Sequence, residues 1–289
     1  MDVRHHHDPQ AFRALAEPFY ASDPVQHTLA LTVIARFITY APTAAETTPV
    51  MMTLHDDTRT IGVVLRTPPW PVIASGLPTD PALLDAVVAR WLERDPNPPG
   101  VNGPRDRAEA FARAWTRHTG GTATETMACR LYRLGDLEKP ATAGRPRHAT
   151  EDDVDLLVAW RDGFALEAHG HQRNSGDGPA AIRRALAMGD GTILWERDYA
   201  PVSWAVASAP IDGMSRIGPV YTPPEHRGKG YGSAVTAAVS QHARDAGATN
   251  ILLFTDLANP TSNSIYRKIG YRPVYDSTEL EFAGLPSGT

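Results

Sequence analysis

One stretch of the chain, YTPPEHRGKGYGSAV at residues 221–235, constrains the fold more than any other. It follows a strand-like run that begins at Ser215, and it leads directly into a pattern typical of an amphipathic helix. Two prolines end the strand, while Gly228, Gly230 and Gly232 permit positive φ and close backbone approach. The first N–H groups of a helix lack partners and its dipole favours negative charge. The stretch therefore predicts a strand–loop–helix unit that binds an anion.

The residues on either side of this loop predict a mixed α/β fold, in which helices cover a mixed sheet. Helical spacing fits VDLLVAWRDGFALEA and, after the loop, GSAVTAAVSQHARDAG. The continuous apolar run NILLFTD fits a buried strand, and Asp212-Gly213 predicts a turn between two strands. The predicted order in this half of the chain is α-α-β-β-β-α-β-α-β.

The N-terminal half shows a similar but less distinct order, which suggests an old duplication. The pattern predicts helices at 8–20 and 25–41 and strands at 49–55, 59–66 and 71–75. It then predicts a helix over PALLDAVVARWLERD, a short strand at PGVNG, a helix over RDRAEAFARAWTRHTG and a strand over TETMACRLYRL. At the place that matches the glycine loop it has SGLPTDPALL, without an Arg and without repeated glycines. Its first ten residues, MDVRHHHDPQ, are expected to form a flexible, solvated terminus.

A segment rich in Pro, Gly and Thr, residues 137–153, has no apolar period and predicts a linker. It ends in Thr150-Glu151-Asp152-Asp153, a pattern typical of a helix start. We therefore predict two domains, 1–142 and 143–289, with the glycine loop in the second.

The net charge of −5 gives no general attraction to nucleic acid or to an acidic membrane, so neither is an expected partner. The N-terminal residues lack the apolar region of a secretory signal, and no run of about 18 apolar residues predicts a membrane span. The single cysteine, Cys129, excludes an internal disulfide and is interpreted as a small buried side chain. These features favour a cytoplasmic protein.

Two common phosphate-binding patterns fit the glycine loop poorly. A P-loop needs Ser or Thr after its lysine, whereas Gly230 follows Lys229. A dinucleotide fingerprint starts directly after a strand, whereas the residues PPEHR intervene here. Asp256, at the end of NILLFTD, stands where a ribose-binding acid would be sought, although it also fits a turn or helix cap.

A third pattern, R-x-x-G-x-G at residues 227–232, resembles the pyrophosphate loop of the GCN5-related N-acetyltransferases (GNAT). The segment NPTSNSIYRKIGYRPV at residues 259–274 is similar to the N-P-x-x-x-x-x-Y-x-x-x-G-[FY] segment of that superfamily. The resemblance covers residues 146–282. It implies a GNAT fold in the C-terminal half and, as in tandem members, a degenerate GNAT-like α/β domain without a cofactor loop in the N-terminal half.

The resemblance implies acetyl-CoA as cosubstrate, with no metal. Backbone N–H groups of the loop would hold the pyrophosphate, and a strand broken at Pro219 would bind the pantetheine arm. The N–H of Val220 or a neighbour would polarise the thioester carbonyl. The implied cofactor contacts are Val220, Tyr221, Thr222, Arg227, Gly228, Lys229, Gly230, Tyr231, Gly232, Ser233 and Asn259.

Tyr266 matches the tyrosine that protonates the leaving thiolate in that superfamily. Glu167 is the first choice for the general base, and His169, His171 and Glu196 are the other candidates. His169 and His171 form an H-x-H pattern that can suggest a metal site, but no third ligand occurs at a matching spacing. The Asn259-Pro260 pair also fits a plain turn, and Tyr266 also fits a core aromatic.

The expected function is acetyl transfer from acetyl-CoA to an amine of a small molecule, by direct attack in a ternary complex. The expected assembly is a monomer or homodimer. Two alternatives remain, a catalytically silent CoA-binding regulator and a GNAT-fold transferase that uses an aminoacyl-tRNA donor. Neither the acceptor nor the length of the acyl chain is encoded in a readable motif.

Overall fold

A computed structural model of the chain describes residues 1–39, 48–169 and 178–284. These residues form two compact units, and each unit contains segments from both halves of the sequence. The first unit has residues 1–130, 256–258 and the chain from residue 275 onward; the second has 131–255 and 259–274. The predicted domains 1–142 and 143–289, and their separate roles, stay predictions.

The first unit holds the elements from the N-terminal half of the chain. They are β1 (Asp2–His6), α1 (Pro9–Ala21), α2 (Thr28–Thr39), β2 (Val50–Asp56), β3 (Arg59–Arg66), β4 (Val72–Ile73), α3 (Pro81–Leu92), β5 (Gly100–Pro104), α4 (Arg105–Thr119) and most of β6 (Thr122–Leu134). Its core packs α3 and α4 on the sheet through fully buried side chains such as Trp91, Phe111 and Trp115.

The expectation of a flexible N-terminus is wrong. Residues Asp2–His6 form β1, which pairs antiparallel with β2 from Asp2–His55 to His6–Met51. His6 Nε2 lies 2.7 Å from the hydroxyl of Thr53, and this hydroxyl lies 2.8 Å from His55 Nε2. A run of histidines has no apolar alternation, so the strand could not be seen in the sequence.

The second unit holds the elements from the C-terminal half. They are β7 (Arg145–His148), α5 (Val154–His169), α6 (Gly178–Ala187), β8 (Gly191–Arg197), β9 (Ala200–Ala207), β10 (Met214–Tyr221), α7 (Tyr231–Asp245), β11 (Asn250–Asp256), α8 (Pro260–Lys268) and the first residues of β12 (Tyr271–Ala283). Within this unit the strand order is β12-β6-β11-β10-β9-β8-β7. Strands β6, β11 and β12 contribute to this sheet only the residues that belong to the second unit.

Side chains alternate along β9 between two apolar layers. Ala205 belongs to the layer that contains Val235 and Val239 of α7. Trp204 belongs to the layer that contains Leu157 of α5 and Ile182 of α6. The sheet of the second unit is therefore covered on both faces, and the prediction of a mixed α/β fold is confirmed.

The predicted linker at residues 137–153 contains a strand, which the sequence did not reveal. Strand β7 pairs with β8 over four residues, from Arg145–Glu196 to His148–Ile193. Arg147 binds Glu196 at 2.5 Å and both carboxylate oxygens of Asp153 at 2.6 and 2.7 Å. Because β7 is held by backbone pairing and ion pairs, its sequence RPRH carries no hydrophobic period.

The predicted turn at Asp212-Gly213 is present, with φ of 48° and 71°. It connects β9 to β10, the strand that carries the glycine loop at its end. The loop residues 222–230 lie between β10 and α7, as predicted.

Candidate functional site

Strand β10 leaves its parallel neighbour halfway along its length. Its ladder with β11 joins Met214–Ile217 to Asn250–Leu253 and, in the described residues, ends there. The register with β9 on the other side shifts between Ile217 and Val220, after which Val220 pairs with Ala205 and Tyr221 with Trp204. Pro219, which has no N–H, lies at this shift. The edge of β10 that faces β11 is therefore available to an extended ligand after Ile217.

The glycine loop brings free N–H groups to the start of α7. Gly228 has φ of 76° and Gly230, the N-cap residue, has φ of 81°, a conformation that costs other residues free energy. In the described part of the chain no side chain caps this helix. The first intrahelical bond runs from Ala234 N to Gly230 O, so the N–H groups before it remain for a ligand.

Two cations flank these N–H groups. Arg227 donates through Nε to the carbonyl of Thr222 at 2.9 Å, and Lys229 Nζ donates to the carbonyl of Glu225 at 3.3 Å. The Nη2 of Arg227 also lies 2.6 Å from each carboxylate oxygen of Glu167. Both side chains of this ion pair are nearly half exposed, so the pair is weak and a phosphate can compete for the guanidinium.

Tyr221 and Thr222 are held in place from both sides of the strand. The hydroxyl of Ser203 donates to the Tyr221 carbonyl at 3.0 Å and lies 2.8 Å from Thr222 Oγ1. The Tyr221 phenol approaches α5 so closely that a Cβ on Gly163 would lie 2.7 Å from its oxygen. Burial and the nearby carboxylate of Glu167 raise the pKa of Tyr221.

The remaining predicted loop contacts fall into two kinds. The side chain of Tyr231 is 8% exposed and packs in the α7 layer, and Val220 packs against the same layer. These two residues can therefore offer a ligand little besides their backbone groups. Gly232 and Ser233 lie in the first turn of α7 and are half-buried; N–H groups in the first turn of a helix point back towards its N-terminus, here towards the loop.

Helix α8 positions the other two predicted residues. Asn259 is its N-cap, and the side-chain oxygen of Asn259 accepts from Ser262 N at 3.0 Å. The structure thus places the Asn-Pro pair in a helix cap, which leaves the amide nitrogen of Asn259 as the group to face a ligand. Burial raises the pKa of Tyr266 to about 12, despite a hydrogen bond with Ser262. The phenol is protonated at neutral pH and can donate a proton.

The candidate bases differ in their surroundings. Glu196 is 7% exposed and binds Arg147 and Arg145, and the hydrogen bond from Arg147 is the main cause that lowers its pKa. It is therefore a poor proton acceptor. Glu167 lies in the ion pair with Arg227, near the Tyr221 phenol. His169 is the last residue of α5, and His171 lies outside the described residues.

Other chemistry has little support in the described residues. Within ranges 1–39, 48–169 and 178–284, no three His, Cys, Asp or Glu side chains are arranged to hold a metal ion. In the same ranges no helix is both long and apolar enough to cross a membrane. Burial raises the pKa of the Cys129 thiol to about 12, which makes it a poor nucleophile.

Sequence reasoning missed the residues that support the site from a distance in the chain. Gly163 and Ser203, which contact Tyr221, and Tyr132, which contacts α8, belong to no local motif. A glycine inside an otherwise apolar helix pattern was the one available signal for a close approach to α5.

Comparison with known proteins yields a family-model match at residues 202–280, to the family described as FR47-like protein. The match includes most of β9, the glycine loop and α8, but not Glu167. A mycothiol acetyltransferase from Nocardia farcinica is 29% identical over 134 residues, which is 43% of this chain and 43% of that protein. A second one, from Cellulomonas flavigena, is 34% identical over 89 residues, which is 30% of this chain and 25% of that protein. These matches span less than half the length of either relative.

A solved structure resembles the chain over nearly its whole length. An acetyltransferase from the GNAT family of Colwellia psychrerythraea aligns with a TM-score of 0.65 at 11% identity, and covers 98% of this chain and 100% of that one. At this identity the likeness shows the fold alone, and it extends over both halves of the sequence.

Proposed function

Because the chain belongs to the GCN5-related N-acetyltransferase superfamily, we propose that it transfers acetyl from acetyl-CoA to an amine of a small molecule. The observation that carries the proposal is the uncapped start of α7, which follows, after the loop at residues 222–230, a strand that has left its parallel neighbour. The start of α7 supplies an anion site for a pyrophosphate. The free edge of β10 supplies an extended backbone for a pantetheine arm.

The residues of the loop fit this ligand in charge and in backbone geometry. The N–H groups of residues 228–233 bind the pyrophosphate, and Arg227 and Lys229 balance its charge. Asn259 contacts the cofactor from the start of α8. The pantetheine arm lies beside Val220, Tyr221 and Thr222, at the end of β10. A backbone N–H at Val220 or beside it polarises the thioester carbonyl.

The reaction then needs one acid and one base. The amine nitrogen attacks the carbonyl carbon, a C–N bond forms, and the C–S bond breaks. Tyr266 gives its phenolic proton to the departing sulfur, and a base takes the proton from the amine. Glu167 is the proposed base. Its carboxylate is released when the pyrophosphate takes over the Arg227 guanidinium, because the exposed pair holds it only weakly.

The test of the activity is release of free CoA thiol from acetyl-CoA in the presence of a panel of primary amines. Thiol release that depends on an amine supports the proposal. CoA binding without thiol release from any acyl-CoA would favour a silent CoA-binding regulator instead. Binding of aminoacyl-tRNA with no stabilisation by CoA would favour a transferase with that donor.

Arg227→Glu is expected to raise the Kd for CoA by about tenfold or more, because it places a carboxylate beside the pyrophosphate. Isothermal titration calorimetry measures this affinity. The matched control is Arg197→Glu, since Arg197 is also an exposed, ion-paired arginine at the surface of the second unit. Equal affinity in the two variants would contradict the role of the loop.

Tyr266→Phe is expected to lower kcat by about 100-fold, because the thiolate then leaves without a proton donor. The Kd for CoA should stay near its wild-type value, since the ring still packs against the α7 layer. Steady-state thiol release and calorimetry measure the two quantities. Unchanged turnover would remove Tyr266 from the chemistry and strengthen the regulator hypothesis.

A further inference from the structure

Helix α8 carries two residues of the proposed site but has little apolar anchorage. The structure describes all nine of its residues; Ile265 and Tyr266 are partly buried, Tyr266 against the α7 layer, and none of the nine is fully buried. Most helices in proteins are held by the apolar face that they bury, so α8, with this small apolar contact, also relies on other contacts. Its position against a cofactor therefore depends on polar contacts with its neighbours.

One buried phenol contacts two successive turns of α8. Tyr132, near the end of β6, is fully buried. Its hydroxyl donates to Asn263 Oδ1 at 3.0 Å and accepts from Arg267 Nε at 3.2 Å. Asn263 and Arg267 are four residues apart, so they lie above one another on the helix face that meets β6. The phenol thus fixes both the rotation of α8 about its axis and its position along that axis.

The contacts continue from Asn263 to the proposed site. Asn263 Nδ2 donates to the carbonyl of Asn259 at 2.8 Å. Asn259 in turn caps the helix at Ser262 N, and Ser262 makes the hydrogen bond to Tyr266. A continuous set of hydrogen bonds therefore joins Tyr132 to the proposed cofactor contact and to the proposed acid.

We propose that Tyr132 is a positioning residue for acyl transfer, which holds α8 so that the phenol of Tyr266 faces the leaving sulfur. The inference rests on the proposed function. Tyr132 touches neither substrate nor cofactor and acts through Asn263 and Arg267. Small displacements of a catalytic group lower rates strongly, so loss of these contacts should appear in kcat.

The test compares Tyr132→Phe with Tyr20→Phe. Tyr20 is also fully buried, and its hydroxyl donates to the carbonyl of Val63 at 3.1 Å within the first unit. Both variants lose a buried hydrogen-bonding hydroxyl and should lower Tm similarly. Only Tyr132→Phe should lower kcat for amine-dependent thiol release, by about fivefold to tenfold. Equal kcat in the two variants would overturn the inference.

A double-mutant cycle separates positioning from general destabilisation. If Tyr132 acts through Tyr266, Tyr132→Phe should change kcat by less than about twofold in a Tyr266→Phe background. The same fold-change in both backgrounds would overturn the inference. If the wild-type protein releases no thiol from acetyl-CoA with any amine, the proposed function is overturned, and this inference with it.

A second variant serves if Tyr132→Phe does not fold. Arg267 is exposed, so Arg267→Gln removes one of the two phenol contacts with little risk to the fold. It should lower kcat by about twofold to threefold, as expected for one hydrogen bond of two. Lys268→Gln is the control for loss of a positive charge on α8. Equal kcat in these two variants would overturn the inference.

Discussion

His27 is a buried titratable side chain in the first unit. It is 4% exposed, its Nδ1 lies 3.2 Å from the hydroxyl of Ser75, and its ring packs 5.0 Å from that of Tyr20. Burial lowers the pKa of His27 to about 4, and the positive charge of Arg107 contributes to the shift. The folded protein therefore holds a neutral imidazole at neutral pH.

This histidine makes stability depend on pH in one direction. Between pH 6.5 and about 4 the unfolded chain binds a proton at His27 that the folded chain does not bind, so acid favours unfolding. The contribution of the neutral His27 to the free energy of unfolding is fully present above pH 6.5. It amounts to at most roughly 3 kcal/mol and is lost as the pH falls towards 4. Urea unfolding of wild type and His27→Gln at pH 7 and pH 5 measures it.

The variant should lose less of its free energy of unfolding between these two pH values than the wild type does. His118→Gln, at the more exposed end of α4, is the control and should keep the wild-type dependence. A His27→Gln protein with the same pH dependence as the wild type would show that other groups cause it.

At the scale of single elements, the starts of α3 and α7 differ in how their N–H groups are satisfied. Asp80 caps α3, where its carboxylate accepts from Leu83 N at 3.0 Å, and Pro81 follows in the first turn. Helix α7 has Gly230 as its N-cap residue, and in the described residues it has no side-chain cap. A carboxylate already fills the place of an anion on α3, which supports the proposal that the first unit lacks a cofactor.

The loop geometry predicts a specific effect of Gly228→Ala. Gly228 has φ of 76° and Gly189 has φ of 77°, and a Cβ on either would meet no atom within 4 Å. Both alanine variants should therefore lose about 1 kcal/mol of stability from the same backbone strain. Only Gly228→Ala should also weaken CoA binding, because it turns the loop N–H groups away.

Chemical denaturation and calorimetry measure the two effects side by side. Gly189 lies between α6 and β8, so it controls for strain without touching the loop. Loss of CoA affinity in both variants, or in neither, would contradict the assigned role of Gly228.

Elements with local signals were predictable, and elements that depend on distant partners were not. The glycine loop, α7 and β11 each carry their own pattern of glycines or apolar residues. Strands β1 and β7 are formed by pairing with β2 and β8, and their His and Arg residues give no period. The contacts of Arg227 with Glu167 and of Tyr132 with Asn263 join residues 60 and 131 positions apart, beyond any motif.

At the scale of the whole molecule, the first unit needs residues from late in the sequence. Residues Ser277–Glu281 of β12 pair antiparallel with β5, from Ser277–Pro104 to Glu281–Gly100. Phe282 stacks on Trp115 with ring centroids 4.0 Å apart. Arg130 binds both carboxylate oxygens of Asp276, at 2.6 and 2.9 Å. These contacts belong to the first unit alone.

Truncation after Val274 should therefore destabilise the first unit strongly, since it removes a strand and part of the core. Phe282→Ala is the milder variant and should cost about 2 kcal/mol, because the ring is only partly buried. Thermal unfolding followed by tryptophan fluorescence measures both. The control is Val274→Ser at an exposed position of β12. A Tm for Phe282→Ala equal to that of the control would contradict this account.

The pairing of β5 with β12 also affects how the protein is made. A ribosome joins Gly100–Pro104 of β5 well before Ser277–Glu281 of β12, the residues that pair with them. Until then the nascent first unit presents an open strand edge, the kind of surface on which chains aggregate. The first unit is thus completed only after the residues of the second unit have been synthesised, and a chain released before residue 275 would leave this edge of β5 unpaired.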